Sequence, residues 1–160
     1  LLVGSTRLVS LLSLAGVACP TMITNRISHI GILVHDADTA VAHWTKSFGL
    51  SLIEDQRIDV EGMRSVFLSA GGTWDDFVIE IMEPLHKNDE SHFLVKRLKD
   101  NGEGFYHLCL AVDDVRASGE ELSEAGLSVM MRDPINAEAG PRWLVHPRDA
   151  NGVLVEAIEG

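Results

Sequence analysis

The sequence predicts an α+β domain built from two successive βαβββ modules, because it contains one pattern twice. His29 opens the apolar run His-Ile-Gly-Ile-Leu-Val, and His107 opens the run His-Leu-Cys-Leu-Ala-Val. Each run is followed by acidic residues that can cap a helix, and then by a helical stretch that ends in Gly-Leu-Ser. Each copy closes on an apolar strand with one glutamate, Glu80 or Glu156, and the His-to-Glu interval is almost the same in both.

The elements of the first module follow from its apolar residues. Residues 27–34 alternate at period two, which predicts a strand with His29 on one face. Asp36 or Asp38 can cap a helix whose apolar residues recur at helical spacing, and Gly49 can end it. The rest of this half is predicted as three strands, a flexible loop and a linking helix, near residues 50–58, 63–70, 77–83, 71–76 and 90–100, respectively.

The second module repeats this order. A strand at 105–112 carries His107, and Asp113 or Asp114 can cap the helix that follows. Three more strands are predicted near 127–131, 142–145 and 152–158. We therefore expect a single domain over residues 27–160, with modules at about 27–85 and 104–160 joined by a helical linker.

Residues 1–26 are expected to form an N-terminal extension outside this domain. The apolar run at 8–19 resembles the core of a secretory signal, but only Arg7 precedes it and the run is too short to span a bilayer. The sequence starts with Leu, whereas Met22 lies just before the first predicted strand. These features favour an upstream extension or an over-long start for residues 1–21 over a cleaved signal.

Composition and charge narrow the classes of function. The contents of 46% hydrophobic and 23% charged residues are ordinary for a globular protein, and 160 residues can bury a core without disulfides. A net charge of −11 argues against nucleic acid as the partner, and no membrane partner is expected. The two cysteines lie in unlike contexts and predict no disulfide framework, which favours a reducing compartment and a cytoplasmic location.

The two strand glutamates indicate a metal site. Glu80 and Glu156 lie among aliphatic residues, and burying an unpaired carboxylate there is costly, yet neither strand contains a Lys or Arg. A single strand histidine is more often a satisfied core residue than a ligand, and a single strand glutamate is more often solvated or ion-paired. Two of each at matched places in a duplicated pattern instead predict a divalent ion bound by imidazole nitrogen and carboxylate oxygen.

The order of these motifs resembles the vicinal oxygen chelate (glyoxalase/bleomycin resistance/dioxygenase) superfamily over about residues 27–158, and is most similar to its methylmalonyl-CoA epimerase branch. The resemblance implies paired βαβββ modules that form a curved, barrel-like mixed sheet around a metal site. It rests on the runs His29-Ile-Gly-Ile, Glu80-Ile-Met-Glu-Pro84-Leu85, Tyr106-His107-Leu, Val112-Asp113-Asp114 and His146-Pro147, and on Gly152-Val153-Leu154-Val155-Glu156.

The resemblance also implies an enzyme that transfers an α-proton through a metal-stabilised enolate of an acyl-CoA thioester. Family ligands correspond to His29, Glu80, His107 and Glu156. One Co²⁺, Mn²⁺, Ni²⁺ or Zn²⁺ ion suits two imidazoles and two carboxylates. We further expect a small-molecule substrate and a homodimer. The cations expected to contact an anionic substrate are Arg64, Arg142 and those of the Lys96–Lys99 helix.

One departure concerns the catalytic base. Some epimerases of this branch have a carboxylate on the strand that corresponds to residues 63–69, whereas the strand here contains no acid. Glu61 is close in sequence but is expected to lie where the strand begins. We therefore expect Glu156 or Glu80 to act as the base, as a metal-bound glutamate is thought to do in the glyoxalase I branch.

Three alternatives stay open. A glyoxalase I-type lactoylglutathione lyase has the same ligand types, although the Asn-Trp-Gly stretch usual there is replaced by Met82-Glu83-Pro84. An extradiol-type dioxygenase would bind Fe²⁺ through His29, His107 and Glu156, but Glu80 would then crowd an oxygen position. A non-catalytic small-molecule binding protein of the bleomycin type would lack the metal ligands that are retained here.

Overall fold

The computed structural model describes residues 23–136 and 139–160, which form eight strands in one sheet with three α-helices. Residues 1–22 of the predicted N-terminal extension (1–26) lie outside the described residues. The strands are β1 (Thr24–Leu33), β2 (Ser51–Ile58), β3 (Met63–Ser69), β4 (Val78–Pro84), β5 (Gly104–Val112), β6 (Val129–Arg132), β7 (Arg142–Val145) and β8 (Leu154–Glu159), and the helices are α1 (Ala37–Phe48), α2 (Phe93–Asn101) and α3 (Val115–Glu124).

The order of elements is the predicted one; β7 has its predicted bounds, and the ends of the other strands differ from prediction by up to three residues, most of all in β1. β1 begins at Thr24 and so takes up the end of the stretch that was assigned to an extension. β6 begins at Val129 because the two residues before it are used by neighbouring elements. The Leu127 amide donates to the Leu122 carbonyl at 3.0 Å, and the Ser128 amide donates to the Asp149 carboxylate at 2.8 Å.

The sheet repeats one arrangement in each half. Its strand order is β2-β3-β4-β1-β5-β8-β7-β6, with β1 parallel to β4 and β5 parallel to β8. The halves join where β1 pairs antiparallel with β5. Arg142 on β7 forms an ion pair with Glu61 beside β2, although these strands lie near opposite ends of the order, so the sheet curves round on itself. The predicted α+β fold with paired modules and a curved mixed sheet is confirmed.

Helices α1 and α3 have equivalent caps and cover equivalent parts of the sheet. The side chain of Asp36 accepts a hydrogen bond from the Thr39 amide at 2.7 Å, and Asp114 accepts one from the Ala117 amide at 2.9 Å, which satisfies amides that a helix start leaves free. Buried aliphatic side chains under α1, and Trp143 with Val and Ala side chains under α3, form two matching core clusters. Within residues 23–136 and 139–160, every helix is too short or too polar to cross a bilayer.

The loop between β3 and β4, which was predicted to be flexible, is tied by local hydrogen bonds. The Asp76 carboxylate accepts from the Gly71 amide at 2.8 Å, and the Ser69 hydroxyl accepts from the Thr73 amide at 3.0 Å. The loop places Trp74 against Phe67, with ring centroids 4.9 Å apart. It therefore forms part of the wall on the concave side of the sheet.

Candidate metal centre and cavity

The strands bring the four predicted ligands to the concave face. Gly31 on β1 is in register with Glu80 on β4 and with His107 on β5. Two residues away on the same face, His29 on β1 is in register with Cys109 on β5, which is in register with Glu156 on β8. Because side chains at period two share a face of a sheet, these two rows point into one site.

Their donor atoms converge. The His107 Nε2 atom lies 3.2 Å from the His29 Nε2, 3.3 Å from an oxygen of Glu80 and 3.1 Å from an oxygen of Glu156. His29 Nε2 lies 3.4 Å from the same Glu80 oxygen. His29, Glu80 and His107 are buried, and one donor atom from each lies within 4.8 Å of the others, as a group that could hold a metal ion. Imidazole nitrogen with carboxylate oxygen is a donor set that suits a divalent transition ion.

Two neighbours orient the imidazole rings. The Ser28 hydroxyl is hydrogen-bonded to Nδ1 of His29 at 3.2 Å, which directs Nε2 toward the other donors. A Cβ atom at Gly31 would lie 2.4 Å from Nδ1 and Cε1 of His107, so the His107 ring occupies the space that any larger residue at position 31 would fill. The residues present therefore fit a bound divalent ion.

The two glutamates differ in acidity. Burial on its own would raise the pKa of Glu80, but the hydrogen bond from His29 and the charges of His107 and His29 outweigh it and lower the pKa to about 2. Burial raises the pKa of Glu156. The positive charges of His107 and Arg142 oppose this effect and the negative charge of Glu80 adds to it, so the pKa stays above its usual value. Carboxylates whose environments push their pKa values apart are suited to different roles, with Glu156 the better proton acceptor.

Arg142 lies inside the site rather than on its rim. Its Nε atom is 3.0 Å from Oε1 of Glu156, and its other guanidinium nitrogen pairs with Glu61 from the 3-10 turn that precedes β3. The Arg142 side chain is 12% exposed. Glu61 lies where it was expected, before the strand, but its carboxylate reaches the cavity. The Arg142–Glu61 ion pair spans the two modules, and Arg142 balances the charge of two half-buried carboxylates.

Arg64, the second cation predicted to bind substrate, projects from the other face of β3. Its guanidinium contacts Asp55 at 2.8 Å, Asp38 of α1 at 3.0 Å and Glu83 at 3.4 Å. Among the described residues that line the cavity, Arg64 is absent. Successive residues of a strand point to opposite faces, so Arg64 lies on the convex face while Ser65 lies on the concave one. The ion pair between Arg64 and Asp38 helps to hold α1 against the sheet.

A cavity of about 380 Å³ opens above the four residues, a volume in the range of small-molecule sites. Burial raises the pKa of the Tyr106 hydroxyl in its wall to about 12. The aromatic lining residues are Phe67, Trp74, Phe93 and Tyr106, and the polar lining residues outside the four predicted ligands include Gln56, Glu61, Arg132 and Arg142.

Cys109 is a member of this site that the sequence analysis missed. It lies two residues after His107 on the same face of β5, in register with both His29 and Glu156, and its side chain is fully buried. Burial raises the pKa of its thiol, and the charges of Glu156 and Glu80 add to this. The sequence signal for it is the period-two pattern of β5, which places residues 107 and 109 on one face.

Comparison with known proteins relates this arrangement to a family. A family model for the Glyoxalase/Bleomycin resistance protein/Dioxygenase superfamily matches residues 28–145. The chain is 30% identical over 133 residues to an ethylmalonyl-CoA/methylmalonyl-CoA epimerase of Cereibacter sphaeroides, a match that covers 82% of this chain and 95% of that protein. It is 24% identical over 138 residues to a probable lactoylglutathione lyase of Vibrio cholerae, covering 86% of this chain and 93% of that protein.

Solved structures of epimerases have a similar fold. The crystal structure of methylmalonyl-CoA epimerase from Mycobacterium tuberculosis matches with a TM-score of 0.74 and 29% identity, over 89% of this chain and 92% of that chain. A Streptomyces coelicolor methylmalonyl-CoA epimerase variant in complex with 2-nitronate-propionyl-CoA matches with a TM-score of 0.72 and 27% identity, over 86% of this chain and 98% of that chain.

Proposed function

The chain belongs to the Glyoxalase/Bleomycin resistance protein/Dioxygenase superfamily, and from that premise we propose that it is a divalent-metal-dependent epimerase of an acyl-CoA thioester of the methylmalonyl-CoA type. The observation that carries the proposal is the convergence of two imidazoles and two carboxylates of unequal acidity at one end of a largely apolar cavity. The similarity to two epimerases that act on or bind CoA thioesters supports the choice of substrate class.

His29, Glu80, His107 and Glu156 are the residues that would hold the ion. Co²⁺, Mn²⁺, Ni²⁺ and Zn²⁺ are the proposed candidates, because two imidazoles and two carboxylates form a borderline donor set. When bound, the ion supplies a Lewis acid for the negative charge that develops on a thioester oxygen as the α-proton leaves.

Glu156 is the proposed base. Burial raises its pKa in the metal-free protein, which favours proton uptake once the carboxylate has left the ion, and Arg142 holds Oε1 while Oε2 faces His107. In the proposed reaction Glu156 takes the α-proton, the electron pair of the C–H bond moves into the enolate, and the protonated Glu156 gives a proton back to either face of the now planar carbon. Glu80, on the equivalent strand of the other module, is the second carboxylate at the site but is the weaker base because its pKa is lower.

The cavity walls would keep bulk water away from this exchange. Phe67 packs edge-on against the His29 ring at 5.7 Å between centroids, and Trp74 packs on Phe67 in turn. Apolar surroundings of this kind strengthen electrostatic interactions with a developing charge. The same walls offer an apolar surface to a small acyl group.

Deuterium exchange tests the proposal directly. Purified protein is loaded with each candidate ion and incubated in D₂O with methylmalonyl-CoA or ethylmalonyl-CoA, and the substrate is followed by mass spectrometry. We expect incorporation of one α-deuterium that depends on both protein and ion. If none of the loaded forms exchanges the α-proton of either thioester, the proposed reaction is wrong.

A second candidate function is that of a lactoylglutathione lyase. The strand Met63–Ser69 contains no acid, which favours proton transfer by a carboxylate of the metal centre, as the glyoxalase I branch is thought to use. The relative from Vibrio cholerae supports keeping this alternative. The same loaded protein assayed with the hemithioacetal of methylglyoxal and glutathione would distinguish it, since the epimerase proposal expects no turnover of that substrate.

A further inference from the structure

The centre contains one potential ligand that neither the four-residue set nor the proposed reaction uses. Cys109 occupies the middle strand of three, in register with His29 on the antiparallel neighbour β1 and with Glu156 on the parallel neighbour β8. Side chains of residues in register on adjacent strands project to the same face and lie close together. His29, Cys109 and Glu156 therefore form a continuous row across the join of the modules.

The donor atoms of this row are near enough to share an ion. One donor atom from each of His29, Cys109 and Glu156 lies within 4.8 Å of the other two. Bonds from zinc to sulfur, nitrogen and oxygen are about 2.0–2.3 Å, so a modest inward movement of the side chains brings all three into contact with one ion. The Cys109 thiol is free and fully buried, and the described residues offer it no disulfide partner.

We propose that Cys109, His29 and Glu156 form a second metal position, overlapping the first, for thiophilic divalent ions such as Zn²⁺ and Cd²⁺. Coordination releases the thiol proton, because a bound cation stabilises the thiolate. Mn²⁺ and other ions that prefer oxygen have little affinity for a thiolate and remain with Glu80 and His107.

The overlap has a consequence for metal selection. His29 and Glu156 belong to both donor sets, so one ion at the cysteine position withdraws two ligands from the other position. The two positions therefore exclude each other, and a thiophilic ion displaces one that prefers oxygen and nitrogen. This inference uses the same residues as the proposed epimerase site but does not depend on the substrate or the reaction.

Metal titration of the full chain without substrate tests the inference. Metal-free protein, kept reduced with a phosphine that does not bind metals, is titrated with Cd²⁺ and separately with Mn²⁺. Calorimetry gives the affinities, and ultraviolet absorption detects the thiolate-to-cadmium charge transfer. The variants are Cys109→Ser and, as the matched control, Cys19→Ser, since the chain has only these two cysteines.

We expect the charge-transfer band in the wild type and in Cys19→Ser. In Cys109→Ser the band should be lost, and Cd²⁺ affinity should fall about 10-fold or more while Mn²⁺ affinity changes little. A band that persists in Cys109→Ser, no band in the wild type, or an equal loss of both affinities would each overturn the inference. If Cys109→Ser does not fold, Cys19→Ser decides alone, because a thiolate band in that variant has to come from Cys109.

The outcome is independent of the proposed reaction. If the cadmium band is missing, the cysteine position is wrong but the deuterium exchange expected with Co²⁺ or Mn²⁺ is unaffected. If the exchange reaction is missing, the proposed reaction is wrong but the expected cadmium band is unaffected.

Discussion

The Nε2 atoms of His29 and His107 lie 3.2 Å apart across the antiparallel pairing of β1 with β5. Each histidine occupies the equivalent place in its module, and each module contributes one of the two glutamates. The centre is therefore formed where the modules join, and neither module contains more than half of it.

Loss of either imidazole is expected to abolish tight divalent binding. His29→Ala or His107→Ala removes one nitrogen donor and leaves Glu80 without one of its two histidine contacts. Titration with Co²⁺, Ni²⁺, Mn²⁺ and Zn²⁺, followed by metal analysis after dialysis, measures the effect. His43→Ala is the matched control, because His43 lies exposed on α1. Wild-type protein that stays metal-free with all four ions would remove the metal site altogether.

Much of the fold could be predicted because the same βαβββ pattern occurs twice in the sequence. Alternating residues identified β1 and β5. The acidic pairs after these strands indicated where the next helices start, and the structure shows that Asp36 and Asp114 are the capping members. The sequence did not indicate the extra length of β1, because Thr24 is only half-buried, Asn25 and Arg26 are exposed, and these residues have no apolar alternation. The hydrogen bonds that order the loop at 71–76 come from Asp76 and Ser69, whose side-chain directions no periodicity indicates.

The site was predictable where it depends on strand faces and unpredictable where it depends on curvature. The four predicted ligands converge because all of them lie on the concave face of one sheet, namely His29, Glu80, His107 and Glu156. Arg142 and Glu61 meet only because the sheet curves, which brings residues far apart in the strand order into contact. Arg64 differs, because it faces away from the cavity toward three carboxylates as a result of the period-two alternation of β3, which the sequence analysis did not apply to it.

Gly31 is expected to be essential for the position of His107. In Gly31→Ala the new methyl group would lie 2.4 Å from the imidazole, so the ring has to move away from the other donors. Overpacking of this kind typically costs about 1–3 kcal/mol of stability, and Mn²⁺ affinity should fall with it. Denaturant unfolding and metal titration measure the two effects. Gly140→Ala is the control, because a Cβ there meets only a carboxylate oxygen of Glu159 at 3.6 Å. Unchanged metal affinity in Gly31→Ala would contradict the prediction.

The metal-free protein should lose stability in acid partly through Glu80. Its pKa is lowered from 4.5 to about 2 in the folded state, so its ionised form stabilises the fold above about pH 4.5, and that contribution is lost as the pH falls toward 2. The difference in unfolding free energy between wild type and Glu80→Gln should therefore shrink over this range. Chemical denaturation at several pH values measures it, with the exposed Glu159→Gln as control. A difference that does not change with pH would contradict the assignment.

Recognition of a CoA thioester should depend on cations outside the catalytic centre. Helix α2 contains Lys96 and Arg97 three and four residues after Phe93, which forms part of the cavity wall. Charge reversal of either cation should raise KM and leave kcat nearly unchanged, because contacts with the CoA phosphates are the same in the ground and transition states. Lys46→Glu on α1 is the control.

Arg142 should behave differently from these cations. Its guanidinium holds Glu156, so its charge reversal is expected to lower kcat as well as raise KM. If KM is unaltered in the Lys96, Arg97 and Arg142 variants, the hypothesis that the substrate is a CoA thioester is wrong.

The last prediction separates the roles of the two glutamates. Glu→Gln keeps an oxygen donor and removes the basicity, and a general base typically contributes about 10²–10⁴-fold. We therefore expect Glu156→Gln to retain metal while α-proton exchange falls by about that factor, because burial and the charge of Glu80 make Glu156 the stronger base. Glu80→Gln should also retain metal and lose less activity, since its lower pKa makes it a poorer proton acceptor. Metal analysis and deuterium exchange on the same samples, with Glu159→Gln as control, distinguish loss of ligand from loss of base. If both glutamine variants exchange deuterium at the wild-type rate, the base is another residue and the assignment to the metal-site glutamates is wrong.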